Sequence, residues 1–210
     1  MYHVKYFAFF LISMAMLSPV LGQKTIKKVF LSPHVTAIQI NTDLFFEVTV
    51  VTTKEKELVL EASLEGEYQK DLGIEVRENG NTLFVAGEFQ PYFTLPNDKL
   101  SAHKVVSISL HVIVPENKEV FLYGGSANIK AEGNYKELKV VLNDGTCTFG
   151  EVGQKVSATT QSGPINLAIA RGTVKAKSKY GTVAKEMIPD GIKQYDLSST
   201  TGNITIKKAR

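Results

Sequence analysis

The sequence predicts an all-β protein. Its C-terminal half reads as a β-solenoid, or β-helix-like stack, with short coils of about 18–21 residues. Its N-terminal half reads as an antiparallel β-sheet capping that stack. Three observations carry this reading. Apolar residues recur with period two rather than 3.6 from Gln23 onward. Five glycines, Gly125, Gly145, Gly163, Gly181 and Gly202, stand 20, 18, 18 and 21 residues apart, with matching flanks. No segment after residue 22 carries a convincing apolar helical face; Glu65–Leu72 comes nearest and lacks one.

The opening segment, 1–22, reads as a secretory signal peptide. Lys5 is its only charge, Phe7 to Leu17 is a short apolar run, and Ser18-Pro19 breaks it, which places cleavage between Gly22 and Gln23. Residues 23–115 form the predicted antiparallel cap. Ile38 and Ile40 share a face of the first alternating run; Phe46, Val48 and Val50 share a face of the next; Leu58, Leu60 and Ala62 share a face of the third. Asn79-Gly80 joins Ile74–Glu78 to Thr82–Gly87 as a hairpin, with a type I′ turn expected because both central residues then need positive φ. Phe89 to His103, with Pro91, Pro96 and Asn97-Asp98, reads as a long loop. Lys104 to Val114 is the longest strand, with Val106, Ile108, Leu110, Val112 and Val114 on one face, and Pro115 ends it.

Residues 116–210 hold the repeat, continuous with the cap as one domain. Set in register on the glycines, the residues five before are Val120, Val140, Ala158, Ala176 and Leu197, all aliphatic. Two and four after stand Ala127-Ile129, Cys147-Phe149, Ile165-Leu167, Val183-Lys185 and Ile204-Ile206. Intervening positions such as Ser157, Thr159, Lys175, Lys177 and Asp196 are polar. One coil cannot bury its own apolar face, but stacked coils make a shared dry interior. Each key glycine is expected at a corner with left-handed backbone. A second corner carries Gly133, Gly150 with Gly153, Gly172, and Gly191. An antiparallel sandwich with glycine turns is the competing arrangement; it does not need matched columns. The last strand, Gly202 to Ile206, is expected at an open edge guarded by Lys207, Lys208 and Arg210.

Cys147 is the one cysteine, so no disulfide closes within the chain. It falls in an aliphatic column and reads as a small buried hydrophobe. Residues 23–115 carry 9 basic and 12 acidic groups, and residues 116–210 carry 14 basic and 9 acidic. The basic half suits anionic glycans or a membrane surface. Nucleic acid is not an expected partner, because the cations are not interleaved with exposed aromatics. The histidines His34, His103 and His111 lack metal-ligand spacing, and the aspartates Asp144, Asp190 and Asp196 of the repeat half are scattered singly. No cofactor, metal or catalytic residue is expected. Two surface features stand out: Arg171, Lys175, Lys177 and Lys179, with Lys139 and Lys185 nearby, as a ligand-contact patch, and the aromatics Phe89, Tyr92 and Phe93. The bland readings are a solvated strand face for the first and a plug for one end of the core for the second.

The unit Gln161-Ser162-Gly163-Pro164-Ile165-Asn166-Leu167 recurs as Thr200-Thr201-Gly202-Asn203-Ile204-Thr205-Ile206, with a weaker copy at Lys179-Tyr180-Gly181-Thr182-Val183. Following a signal peptide and a β-rich first half, it resembles the putative-adhesin family of exported β-solenoids, related to the head domain with a Gly-Ile-Asn motif. The resemblance covers residues 120–206 well and the rest loosely. It implies adhesion and assigns no site residues. The expectation is an exported, non-enzymatic, adhesin-like binding or structural module of the cell envelope, located in the periplasm, at the cell surface or outside the cell. An envelope glycan or protein is the expected partner. A polysaccharide-active β-helix enzyme is the alternative.

Overall fold

The structure is a computed structural model and describes residues 24–30, 33–66, 70–93 and 106–209. The predicted signal peptide and most of the Phe89–His103 loop lie outside the described residues. What is described is all-β, without a helix, in two mixed sheets of nine and eight strands. The nine-stranded sheet A begins with β1 (Lys24–Phe30) at its edge, and the eight-stranded sheet B begins with β5 (Leu72–Asn79). Between these two strands in sequence come β2 (Ala37–Asn41), β3 (Glu47–Thr53) and β4 (Leu58–Gly66). The chain then alternates between the sheets. Strands β6 (Thr82–Phe89), β8 (Glu119–Ser126), β10 (Glu137–Asp144), β12 (Lys155–Thr160), β14 (Thr173–Ser178) and β16 (Gln194–Ser199) lie in sheet B. Each is followed by a strand of sheet A: β7 (Val106–Pro115), β9 (Asn128–Gly133), β11 (Cys147–Val152), β13 (Ile165–Ile169), β15 (Val183–Lys185) and β17 (Ile204–Lys208).

The strand pairs stack in parallel with like residues over one another, because the inward positions repeat at a fixed distance along the chain. In sheet B, Ile40, Leu122, Val140, Ala158, Leu197 and Ala176 form one column. In sheet A, Val48, Ile129, Cys147, Ile165, Ile204 and Val183 form another. Apart from the end strands, these columns are buried and pack into one core between the sheets.

Four expectations need correction. First, the N-terminal half is not an antiparallel cap. Among the described residues only β1–β4–β7 and β5–β6 pair antiparallel; β2, β3, β6 and β7 run parallel within the stack. Second, the last strand is not an edge. The order β12–β16–β14 in sheet B and β13–β17–β15 in sheet A inserts the final pair between the two before it. The first pair, β2 and β3, is likewise inserted, between β6–β7 and β8–β9. Third, Gly125 does not stand in the glycine column. Leu122 rather than Val120 pairs with Val140, and Ile129 rather than Ala127 pairs with Cys147, a slip of two residues that keeps the same side chains facing in. Ala127 occupies the glycine place, because packing aligns the apolar residues on either side of the corner and not the glycines themselves.

Fourth, of the five key glycines only Gly145 has a left-handed backbone, with φ 94°. The others are needed for close approach. A Cβ on Gly145 would overlap the Ala127 carbonyl, one on Gly163 the Gly145 carbonyl, one on Gly202 the Gly163 carbonyl, and one on Gly181 the Gly202 carbonyl. The corner backbones nest layer on layer. Buried hydroxyls tie this corner together: Thr160 Oγ1 donates to the Gly163 carbonyl, and the Gly202 N–H donates to Ser199 Oγ. Two smaller readings also shift. The hairpin turn is Gly80-Asn81, with positive φ at Gly80 alone, so it has the glycine-first pattern of a II′ turn. Phe46 precedes β3 and is 57% exposed, while Val48 and Val50 are buried as expected.

Candidate functional site

The outward residues of sheet B are laid side by side by the same register that builds the core. One row runs Phe121, Lys139, Ser157, Asp196, Lys175 across β8, β10, β12, β16 and β14. The neighbouring row runs from Glu137 through Lys155 and Gln194 to Thr173. From Lys139 and Glu137 onward these rows line an open depression of about 620 Å³, bordered by the exposed Ile192. A smaller one of about 220 Å³ adjoins it around Gln39 and Phe121 and shares Glu137 and Lys139. The small Ser157 side chain between Lys139 and Asp196 makes the floor low.

Some of the charge in the depression is already matched. Lys155 Nζ sits 2.8 Å from Glu137 Oε1, and Lys139 Nζ lies 5.2 Å from the Phe121 ring centroid. Lys175, Asp196, Gln194 and Ser157 are different. Among the described residues their side chains have no hydrogen-bond or ion-pair partner, so donors and acceptors of both signs stand open together. Below them Tyr195 is buried, and its hydroxyl donates to the Val152 carbonyl of the opposite sheet at 2.9 Å. Burial raises the Tyr195 phenol above its ordinary range, so it acts as a neutral strut and not as an acid or base.

The expected basic patch is divided by the inserted pair. Lys175 faces the depression beside Asp196. Lys177 lies next along β14, opposite Ser198, and Lys179 lies 4.9 Å over the Tyr180 ring. Arg171 sits in the turn before β14 against Gly191. Lys139 is three strands from β14, roughly 14 Å at the usual spacing, because β16 intervenes. Lys185 crosses the end of the stack toward the Val174 carbonyl at 3.5 Å. Glu137, Lys155, Gln194 and Asp196 did not stand out as a group in the sequence. Their period-two outward positions were visible, but their neighbours depend on which pair stacks on which.

Elsewhere the titratable groups are local. His34 Nε2 meets Glu78 Oε1 at 2.6 Å on the surface. Glu61 pairs with Lys27 at 2.7 Å, and that hydrogen bond holds its carboxyl below the usual range. Cys147 is buried, and desolvation pushes its thiol up to about 12. Among the described residues no three His, Cys, Asp or Glu side chains converge as metal ligands. Phe89 stacks on Phe93 with centroids 4.7 Å apart and packs against the core, while Tyr92 is exposed.

No protein-family model matches the sequence, and no curated protein matches it. Solved structures do. A putative cell adhesion protein from Clostridium sporogenes ATCC 15579 superposes with a TM-score of 0.62 at 16% identity, over 88% of this chain and 100% of that one. A putative adhesin from Bacteroides fragilis NCTC 9343 gives a TM-score of 0.29 at 15% identity, over 88% and 97%. The first likeness shows a shared fold, and at that identity it extends to the fold alone.

Proposed function

We propose that this chain is an exported, non-enzymatic, adhesin-like binding module of the cell envelope, built as a β-solenoid, with the outer face of sheet B as its binding face. The single observation that carries the binding role is the open depression where Ser157, Lys175, Gln194 and Asp196 present unpartnered polar groups together. Such a mixture of hydroxyl, amide and opposite charges suits an envelope glycan better than a purely anionic surface. The solenoid reading is supported by the alternation between sheets and by the parallel columns. Export is supported by the leader-like segment 1–22. The Clostridium protein of the same fold is itself a putative cell adhesion protein, which agrees with the role.

The polysaccharide-cleaving alternative would use Glu137 and Asp196, the two carboxylates in the depression. They lie two strands and one outward position apart, roughly 12 Å between backbones, and are not cross-strand neighbours. Glu137 is moreover held by Lys155. A glycan array probed with the purified full chain tests the binding reading. Retained glycans are expected, with affinity falling about tenfold for Gln194→Ala combined with Asp196→Asn, as one hydrogen bond is lost and another loses its charge. Full retention by that variant, or release of shortened sugars by the native chain, would overturn it.

A further inference from the structure

The two ends of the stack are finished differently. At the N-terminal end, Lys24 and Lys28 occupy inward positions of edge strand β1, opposite Leu64 and Leu60. Their ammonium groups cross to sheet B and donate to the Leu72 and Ile74 carbonyls at 2.9 and 2.7 Å. Inward-pointing lysines on an edge discourage another strand from adding there. At the other end, β14 and β15 are both edges, and the one comparable contact is the 3.5 Å reach of Lys185 to the Val174 carbonyl. Here the interior side chains Val174 and Ala176 are only partly covered, and Val183 is exposed. Tyr180, Met187 and Ile192, at 71, 93 and 98% exposure, rim the same end.

The edge also has free backbone groups. The Thr173 N–H donates to the Lys193 carbonyl and the Lys179 N–H to the Ser199 carbonyl, so odd-numbered residues of β14 face β16. Val174 and Ala176 therefore point their N–H and C=O groups outward, where a new strand would pair in place of the long Lys185 contact to the Val174 carbonyl. On the outward face beside that edge stand Lys175 and Lys177, without ion-pair partners among the described residues. Residues 170–192 hold Arg171, Lys175, Lys177, Lys179 and Lys185 against Glu186 and Asp190. A second copy placed end to end would oppose these cations to themselves. One placed head to tail would set β15 beside β1 with its Lys24, Lys27 and Lys28, and β14 beside β5, where Glu75 and Glu78 are already engaged by Arg77 and His34.

We infer that β14 is a docking edge for an extended acidic segment of another protein, which adds as a strand with carboxylates facing Lys175 and Lys177 and apolar residues covering Val174 and Ala176. Strand addition draws affinity from main-chain hydrogen bonds and specificity from alternate side chains. This site is separate from the depression on the face of sheet B, although Lys175 borders both.

A synthetic ten-residue peptide alternating Glu and Val, labelled for anisotropy, tests it on the purified full chain. Saturable binding is expected, with a Lys–Val peptide not binding. Ala176→Pro removes one outward N–H without touching the ladder to β16, and Lys177→Glu reverses the facing charge. Each should weaken binding about tenfold or more, with thermal unfolding unchanged for Lys177→Glu. Gln194→Ala, in the depression, should leave peptide binding intact, so loss of glycan binding and loss of peptide binding are separable. Equal binding of the Lys–Val peptide, no saturable binding of the Glu–Val peptide, or indifference to Lys177→Glu would overturn the inference. So would a native dimer, seen by sedimentation, that Ala176→Pro dissociates, since the edge would then be filled by a second copy.

Discussion

At the scale of single residues, the glycines of one sequence pattern do two jobs. Gly163 nests against the Gly145 carbonyl of the next layer, where a Cβ would overlap backbone that cannot swing away. Gly125 has only Asp43 Oδ1 near the corresponding position, at 3.7 Å, and its backbone is not left-handed. Gly163→Ala should therefore cost about 3 kcal/mol in chemical denaturation. Gly125→Ala should be neutral or stabilise by roughly 0.4–1 kcal/mol through the unfolded chain. Equal losses for the two would refute the nesting account. The glycines were legible in the sequence as a repeat, but their separate roles were not, since a neighbouring layer's carbonyl leaves no mark on the residue it touches. The seven-residue distance from Leu122 to Ile129, shared by Val140–Cys147, Ala158–Ile165, Ala176–Val183 and Leu197–Ile204, was the better guide to register.

Single strands were legible wherever one face is buried. β2, β4 and β7 carry the expected inward residues, because period-two alternation is the direct imprint of a half-buried strand. Strand β1 shows what is harder to read. Its inward column is Lys24, Ile26, Lys28 and Phe30, and two lysines in that column are intelligible only once β1 is known to be an edge. Their role gives a prediction at this scale. Lys24→Val with Lys28→Val should leave β1 paired to β4 but expose an apolar, unguarded end. The variant should self-associate in sedimentation velocity at concentrations where the native chain's state does not change. An unchanged sedimentation profile would show that the lysines do not guard the edge. The site face divides along the same line. The outward polarity of Ser157, Lys175 and Asp196 was visible residue by residue, but their convergence needed the order of strands across sheet B.

For the whole molecule, stability rests on one continuous core without a disulfide, and that core contains groups that must stay protonated. Burial pushes Cys147 up to about 12 and raises the phenols of Tyr135 and Tyr195 above their ordinary range. Tyr135 is fully buried, and its hydroxyl lies within hydrogen-bond distance of the Val50 and Glu132 carbonyls. In the unfolded chain these groups lose protons at lower pH than in the native state. Above roughly pH 9 the native state therefore binds more protons, and stability falls as pH rises toward the native values; below that it is unaffected by them. Urea midpoints taken between neutral pH and about pH 11 should decline, and the decline should be shallower for Tyr135→Phe. That variant should itself lose about 1–3 kcal/mol at neutral pH, as a buried carbonyl loses its donor. A midpoint that holds steady to alkaline pH would contradict this account.

The strands, their inward faces and the repeated corner are set along the chain, since each follows from local spacing and from the need to bury every second side chain. The order of the layers is set by packing in three dimensions. The columns are chemically alike, so Ala158 is as good a neighbour for Ala176 as for Leu197 from local properties alone. The selection comes from what an end layer can tolerate. Tyr195, Leu197, Ile204 and Ile206 are buried with a layer on each side. The pair with Lys185 in its inward column cannot be enclosed without stranding a charge, so it takes the end and leaves the last strands of the chain inside.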